Sequence, residues 1–399
     1  MVSIAARLRG RAGLLGPAFV AAIAYVDPGN VATNTQAGAK YGYLLVWVVV
    51  AANAMAGLVQ YLSAKAGLVT GRSLPELLRD RLPKGMRLLY WAQAELVAIA
   101  TDLAEVLGGA IALRILFGLP LLLGGIITGA VSTALLAVQN RAGQSRFERT
   151  ITGLLLVIAV GFVAGLFVAP PNPAEVLNGL APRFDGVDSV LLAAGMLGAT
   201  VMPHVVYLHS ALARDRFGTD PGKLGITKAD VGLAMVLAGT VNLAMVLLAA
   251  TALGGRTDGS SLDGVHAAVG DALGGGVALL FAVGLLASGL ASTSVGCYAG
   301  AVVMEGLLRR RVPLLARRLA TLLPAIVVLA LGVDPTRALV LSQVVLSFGI
   351  PFALVPLVVL TAKRTVMGDA VNRPATTALA GLIAGVVIAL NVALAILTT

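Results

Sequence analysis

Ala24-Tyr25-Val26-Asp27-Pro28-Gly29-Asn30-Val31 interrupts an otherwise apolar run from Leu14 to Ala39. A carboxylate followed by two helix breakers is costly inside a bilayer, and an isolated transmembrane helix has no use for one. Pro28 removes one backbone hydrogen bond and clashes with the carbonyl four residues back, Ala24, while Gly29 and Asn30 tolerate a non-helical backbone. The stretch therefore predicts an unwound point at mid-membrane depth that presents a carboxylate, an amide and a freed carbonyl to one small volume.

The composition agrees with a membrane setting. Hydrophobic residues make up 58% of the 399 and charged residues 12%, with a mean hydropathy of +0.94, far from soluble averages. Apolar segments of about 20 residues or more fall near 12–38, 43–69, 87–113, 121–138, 150–169, 188–213, 231–254, 272–307, 314–333, 338–361 and 375–397. The expectation is an all-α polytopic membrane protein of eleven transmembrane helices, forming a single transporter domain over residues 1–399 with no soluble domain. The first segment follows a short basic stretch without a small-residue cleavage site, so a removable signal peptide is not expected. A single cysteine, Cys297, excludes an intrachain disulfide.

The net charge of +10 reads as topology rather than as nucleic-acid binding. Of the 29 Lys and Arg, 23 fall in alternate connections, from Arg7, Arg9 and Arg11 to the Lys363–Arg373 stretch. Five (Lys40, Arg114, Arg183, Arg256, Arg337) fall in the opposite ones, and Lys65 lies within a segment. By the positive-inside rule the N-terminus is cytoplasmic and, with eleven segments, the C-terminus is extracytoplasmic, in a bacterial inner membrane or a plasma membrane.

A second interruption repeats the first. Gly198-Ala199-Thr200-Val201-Met202-Pro203-His204 breaks the sixth segment near its middle, and Pro203 frees the carbonyl of Ala199 as Pro28 frees that of Ala24. The Pro-rich stretch at Ala169–Pro173 divides the chain into halves, about 12–169 and 188–361, with one extra span at about 375–397. Two broken helices opening successive five-span halves are the pattern of transporters built from inverted repeats around a midplane site. The breaks together offer Asp27, Asn30, Met202 and the backbone carbonyls of Ala24 and Ala199. Oxygen ligands alone suit Mg²⁺ or Ca²⁺, whereas a thioether favours softer ions such as Mn²⁺ and Fe²⁺. A methionine in an apolar helix is more often core filling; its place beside a helix-breaking proline and His204 raises the ligand reading to even weight.

These two motifs, in these two spans and with this topology, resemble the NRAMP family of divalent-metal transporters, in particular its bacterial manganese/iron proton-symporter type. The resemblance covers essentially the whole chain. It implies a LeuT-type inverted-repeat fold (spans 1–5 and 6–10) and a metal site formed by Asp27, Asn30, Met202 and the carbonyls of Ala24 and Ala199. Gln343 matches a position that joins the site in some conformations. Relatives specialised for Mg²⁺ lack the methionine that stands here at 202.

Span three carries Asp102 and Glu105 three residues apart on one helical face, with Glu95 two turns earlier. Acids at such depth are expensive and point to a polar interior or to proton movement, the alternative being a structural polar patch. The family carries a matching acidic pair in a proton pathway, with arginines at the cytoplasmic end of span nine that Arg317 and Arg318 match. His204, within the second break, suits a proton relay because an unperturbed histidine titrates at about 6.5. His209 is about 140° further round the helix, so the two histidines do not chelate one ion; a satisfied interior histidine and a proton carrier carry equal weight there. His266, beside Asp263 in an outer connection, reads as a solvated loop residue.

The resulting expectation is proton-coupled import of Mn²⁺, Fe²⁺ and similar ions by alternating access, in a monomer, with no cofactor beyond the transported metal and H⁺. A Mg²⁺-type relative and a sodium-coupled organic-substrate transporter share the fold. An intramembrane enzyme finds no support, since no His-Glu-x-x-His run is present.

Overall fold

The computed structural model describes residues 16–142, 144–254 and 261–397. The basic residues Arg7, Arg9, Arg11 and Arg256 lie outside that set. No strand occurs among the described residues. The first half comprises α1 (Pro17–Ile23), a 3₁₀ turn (Ala24–Val26), α2 (Pro28–Tyr41), α3 (Val46–Thr70), α4 (Leu74–Arg79), α5 (Lys84–Phe117), α6 (Leu121–Ala142) and α7 (Gln144–Val168). After the short α8 (Pro173–Asn178) come α9 (Gly186–Thr200), α10 (Pro203–Phe217), α11 (Leu224–Leu253), α12 (Leu262–Leu273), α13 (Gly275–Leu308), α14 (Leu314–Ala330), α15 (Pro335–Thr361), α16 (Arg364–Met367) and α17 (Pro374–Leu397).

Among the described residues eight helices are long and apolar enough to cross a bilayer, counting α9 and α10 as one. The other three expected segments coincide with the broken first helix, with the Leu121–Leu136 part of α6, and with the 17-residue α14, so the expected number of eleven rests there on segments that are interrupted or short. The connection expected near 254–271 is partly helical, because Ser261 caps α12 by accepting from Gly264 N at 3.1 Å.

Each interruption is two half-helices meeting end to end. Pro28 and Pro203 both stand at the first position of the second half, where a missing N–H costs nothing and a fixed φ is already helical. Asp27 (φ −70°, ψ 170°) and Met202 (φ −74°, ψ 121°) precede them in extended conformation as N-caps. The prolines thus restart helices rather than merely damage them.

Breaking a helix in hydrocarbon leaves carbonyls that must find donors. Asn242 of α11 donates to the Tyr25 carbonyl at 2.8 Å, and Ser288 of α13 donates to that of Val26 at 2.6 Å. Asn242 is itself held by Asn34 at 3.0 Å. The first break is therefore clamped between α11 and α13, against which α2 and α5 also pack. The second lies at the centre: 89% of the most apolar stretch of Gly186–Phe217 is buried, against 28% for the last helix.

Candidate metal site

The two breaks meet. Asn30, in the first turn of α2, donates from Nδ2 to the Ala199 carbonyl at the end of α9, 2.8 Å away. The same nitrogen donates to Asp27 Oδ1 at 2.9 Å, and the Asn30 backbone N–H donates to that oxygen at 2.7 Å. Thr200 closes the arrangement by donating to Asn30 Oδ1 at 3.2 Å. Asp27, Asn30 and Met202 have no exposed surface, so the site is sealed from bulk solvent.

Gln343 joins them from α15. Its side chain lies directly over Gly29, where a β-carbon would collide with Nε2 and Cδ of the amide. Gly198 is equally constrained, because a β-carbon there would collide with the Gln343 carbonyl oxygen. Both glycines permit close approach of three elements that carry ligands.

Two buried oxygens here have no hydrogen-bond partner: Asp27 Oδ2 and Gln343 Oε1. Buried polar atoms are nearly always satisfied, and an unsatisfied one costs about 1–3 kcal/mol. One carboxylate, two amides and a carbonyl at a helix C-terminus, the negative end of its dipole, form a cation-seeking donor set, with Met202 at the N-cap of the same second break. Among the described residues no three His, Cys, Asp or Glu side chains converge. A single formal charge suits reversible binding better than a permanent structural site. The Ala24 carbonyl stands at the junction of α1 and the 3₁₀ turn, next to the same break.

A model of the Nramp family, described as natural resistance-associated macrophage protein-like, matches residues 18–397. The chain belongs to the Nramp family. It is 65% identical over 391 residues to the divalent metal cation transporter MntH of Mycobacterium tuberculosis, covering 96% of this chain and 91% of the relative. The manganese transporter of Eremococcus coleocola, solved with an aromatic bis-isothiourea substituted compound, superposes with a TM-score of 0.86 at 31% identity over 97% of this chain and 86% of that one. MhsT in complex with L-phenylalanine shares the fold alone, at 14% identity and a TM-score of 0.63 over 94% of this chain and 98% of that one. This Nramp chain is thus a multi-pass membrane protein with the expected LeuT-type architecture.

The acids and bases of the Nramp chain fall into a connected set beside the site. Asp102 is paired by Arg318 through both carboxylate oxygens, and Arg318 Nη2 donates to Ser132 at 2.9 Å. Arg317 pairs with Glu95 at 2.9 Å. The two arginines are not solvated ends, since they are 3% and 1% exposed. Glu105 faces α13, with a β-carbon built on Gly296 falling 3.2 Å from its carboxylate. Its carboxylate lies beside the Ser292 hydroxyl and close enough to Asp102, Asp27 and Arg318 to interact with their charges. His204 Nδ1 lies 3.4 Å from the Thr101 hydroxyl and its Nε2 is unpartnered.

His209 is apart from His204: its Nδ1 meets Gln60 Oε1 at 2.6 Å, and Gln60 donates to the Tyr25 hydroxyl. It is a satisfied interior residue tied to the first break. His266 corrects the loop reading. It sits half-buried on α12 against the Phe281 ring, 6.4 Å between centroids, and burial lowers its pKa below the usual histidine value.

Sequence reasoning missed Thr200, Asn242 and Ser288. It also missed Asp230, which accepts from the backbone N–H groups of Gly16 and Ala18 at 3.0 and 2.9 Å and caps α1. Asp230 alone carried a signal, an acid directly before the apolar segment 231–254.

Proposed function

We propose that this chain imports divalent transition-metal ions, Mn²⁺ and Fe²⁺ among them, across the cytoplasmic membrane in symport with protons. The observation that carries the reading is the Asn30 amide nitrogen bridging Asp27 Oδ1 and the Ala199 carbonyl. A cation held by the same two partners would lie close to that nitrogen's position, and the unpartnered Asp27 Oδ2 and Gln343 Oε1 could turn to it. The MntH name of the relatives and the manganese named for the E. coleocola transporter support the same substrate class.

In this reading the ion displaces the amide N–H, and Asn30 turns its Oδ1 inward, leaving Thr200. Asp27, Asn30, Met202, Gln343 and the two carbonyls of Ala24 and Ala199 surround it. A proton leaving Asp27 has acceptors in His204 and Glu105, and the pairs Asp102–Arg318 and Glu95–Arg317 extend that route towards the end of the bundle rich in Lys and Arg. The half-helices hinge at the extended Asp27 and Met202 to expose the site to one side at a time. An inside-negative potential favours entry by about 2.3 kcal/mol per charge per 100 mV.

Uptake of Mn²⁺ into proteoliposomes, with internal pH recorded and Mg²⁺ as competitor, tests this. Wild-type protein acidifies the lumen as Mn²⁺ enters; Asp27→Ala abolishes both signals. Normal Mn²⁺ uptake by Asp27→Ala overturns the site, and uptake without acidification overturns the coupling.

A further inference from the structure

A cavity of about 520 Å³, far from the metal site, lies between the start of α5 and the end of α13. Lys84 and Arg87 line it from α5 and Arg310 from the turn after α13, with Leu88, Trp91 and Met304 forming its apolar wall. It is at the same end of the molecule as the Glu76–Arg214 pair, because Arg79 of the adjoining α4 donates to the Gly306 carbonyl at 2.9 Å.

Its cations lack counter-charges. No acidic residue lines the cavity. The acids nearest these cations in sequence, Asp80 and Glu305, are taken by Arg72 and Arg311. The backbone at Arg309 turns with φ 55°, the sole positive φ of a non-glycine residue among those described. Such a conformation is strained for a side-chain-bearing residue and requires a compensating arrangement. It reverses the chain directly after α13 and brings Arg310 round to the cavity.

Two donors inside are also unmet. Arg87 Nε and Trp91 Nε1 are both buried and have no hydrogen-bond partner. An indole N–H and a guanidinium N–H held in a pocket with two further cations need an acceptor carrying several oxygens and negative charge. The wall is largely apolar, and its Leu88 and Val312 are 45% and 39% exposed.

We propose that this cavity binds the phosphate of an anionic phospholipid, with Arg87, Lys84, Arg310 and the Trp91 indole holding the phosphodiester and the acyl chains running along Leu88. A free phosphate ion would satisfy the same donors but leave the apolar wall and its exposed leucine uncovered. Basic pockets between helices at the positively charged face of membrane proteins suit such headgroups.

The chain has two tryptophans, and Trp47 lies at the opposite end near Arg183. Trp47→Phe leaves Trp91 as a reporter inside the cavity. Brominated phosphatidylglycerol mixed into phosphatidylcholine nanodiscs should quench this reporter at a several-fold lower mole fraction than brominated phosphatidylcholine does. The Arg87→Gln and Arg310→Gln changes should each reduce that preference on the order of five-fold, leaving quenching by phosphatidylcholine unchanged. Equal quenching by the two lipids overturns the proposal irrespective of how the variants behave. Relief of quenching by inorganic phosphate in detergent would assign the site to free anions and overturn the lipid assignment.

Discussion

Asn30 and Ala199, 169 residues apart, are joined by a 2.8 Å hydrogen bond across the two helix breaks. The carbonyl freed at one break is thus satisfied by an amide N–H from the other, and in the proposed site a metal must compete with that bond.

The competition makes Thr200 a positioning residue. Its hydroxyl bonds Asn30 Oδ1 at 3.2 Å and the Met196 carbonyl at 2.7 Å, holding the amide in one orientation. A metal must break the Thr200–Asn30 bond before the amide can turn, and such a bond is worth about 0.5–1.5 kcal/mol. Thr200→Val should therefore tighten Mn²⁺ binding by about two- to ten-fold, read by isothermal titration, while Thr200→Ser, which keeps the hydroxyl, leaves it unchanged. Equal affinity in all three proteins would remove Thr200 from the site.

Met202 is fully buried at the hinge of the second break. If its sulfur confers softness on the site, Met202→Ala should leave Mn²⁺ transport measurable and let Ca²⁺ and Mg²⁺ compete. Unchanged selectivity in the competition assay would return Met202 to core packing.

The breaks themselves were legible because proline and a buried carboxylate are conspicuous in an apolar run, and each sits where the chain restarts a helix. Asp27, Asn30 and Ala199 follow from that position alone. Asn242 and Ser288 were not legible: one polar side chain on a long apolar helix does not reveal which carbonyl of which neighbour it meets. The burial of Arg317 and Arg318 was not legible for a related reason. Their burial depends on Glu95 and Asp102 of α5 lying opposite, more than two hundred residues away, and helical periodicity carries no information about such pairings. The ninth apolar segment, expected over 314–333, coincides with α14, which is 17 residues long, so hydropathy located a helix there without fixing its length.

Asp102 and Arg318 form a buried pair with 3% and 1% exposure. Removing one member of such a pair strands the other charge and costs about 3–5 kcal/mol, whereas replacing both by neutral groups is often close to neutral. Asp102→Asn should lower the melting temperature in detergent sharply, and adding Arg318→Gln should recover most of the loss. If Asp102 also carries protons, the recovered double variant will still show altered Mn²⁺-driven acidification in proteoliposomes; normal acidification would confine the pair to a structural role.

Asp230 fastens the first half-helix to α11. Its two oxygens accept the N–H groups of Gly16 and Ala18, the first orphan donors of α1, so the seven-residue helix is held at its entrance by a residue more than two hundred positions away. A capping carboxylate is worth about 0.5–2 kcal/mol. Asp230→Ala should therefore increase opening of α1 by roughly two- to thirty-fold, seen as faster amide hydrogen exchange across residues 17–23 with exchange in α5 unchanged. Asp230→Asn, which keeps one acceptor oxygen, should fall between. If the proposed alternating-access cycle opens the site by releasing α1, the same variant should favour the open state. Unaltered exchange in α1 would show that packing against α7 and α10, rather than the cap, keeps this helix closed.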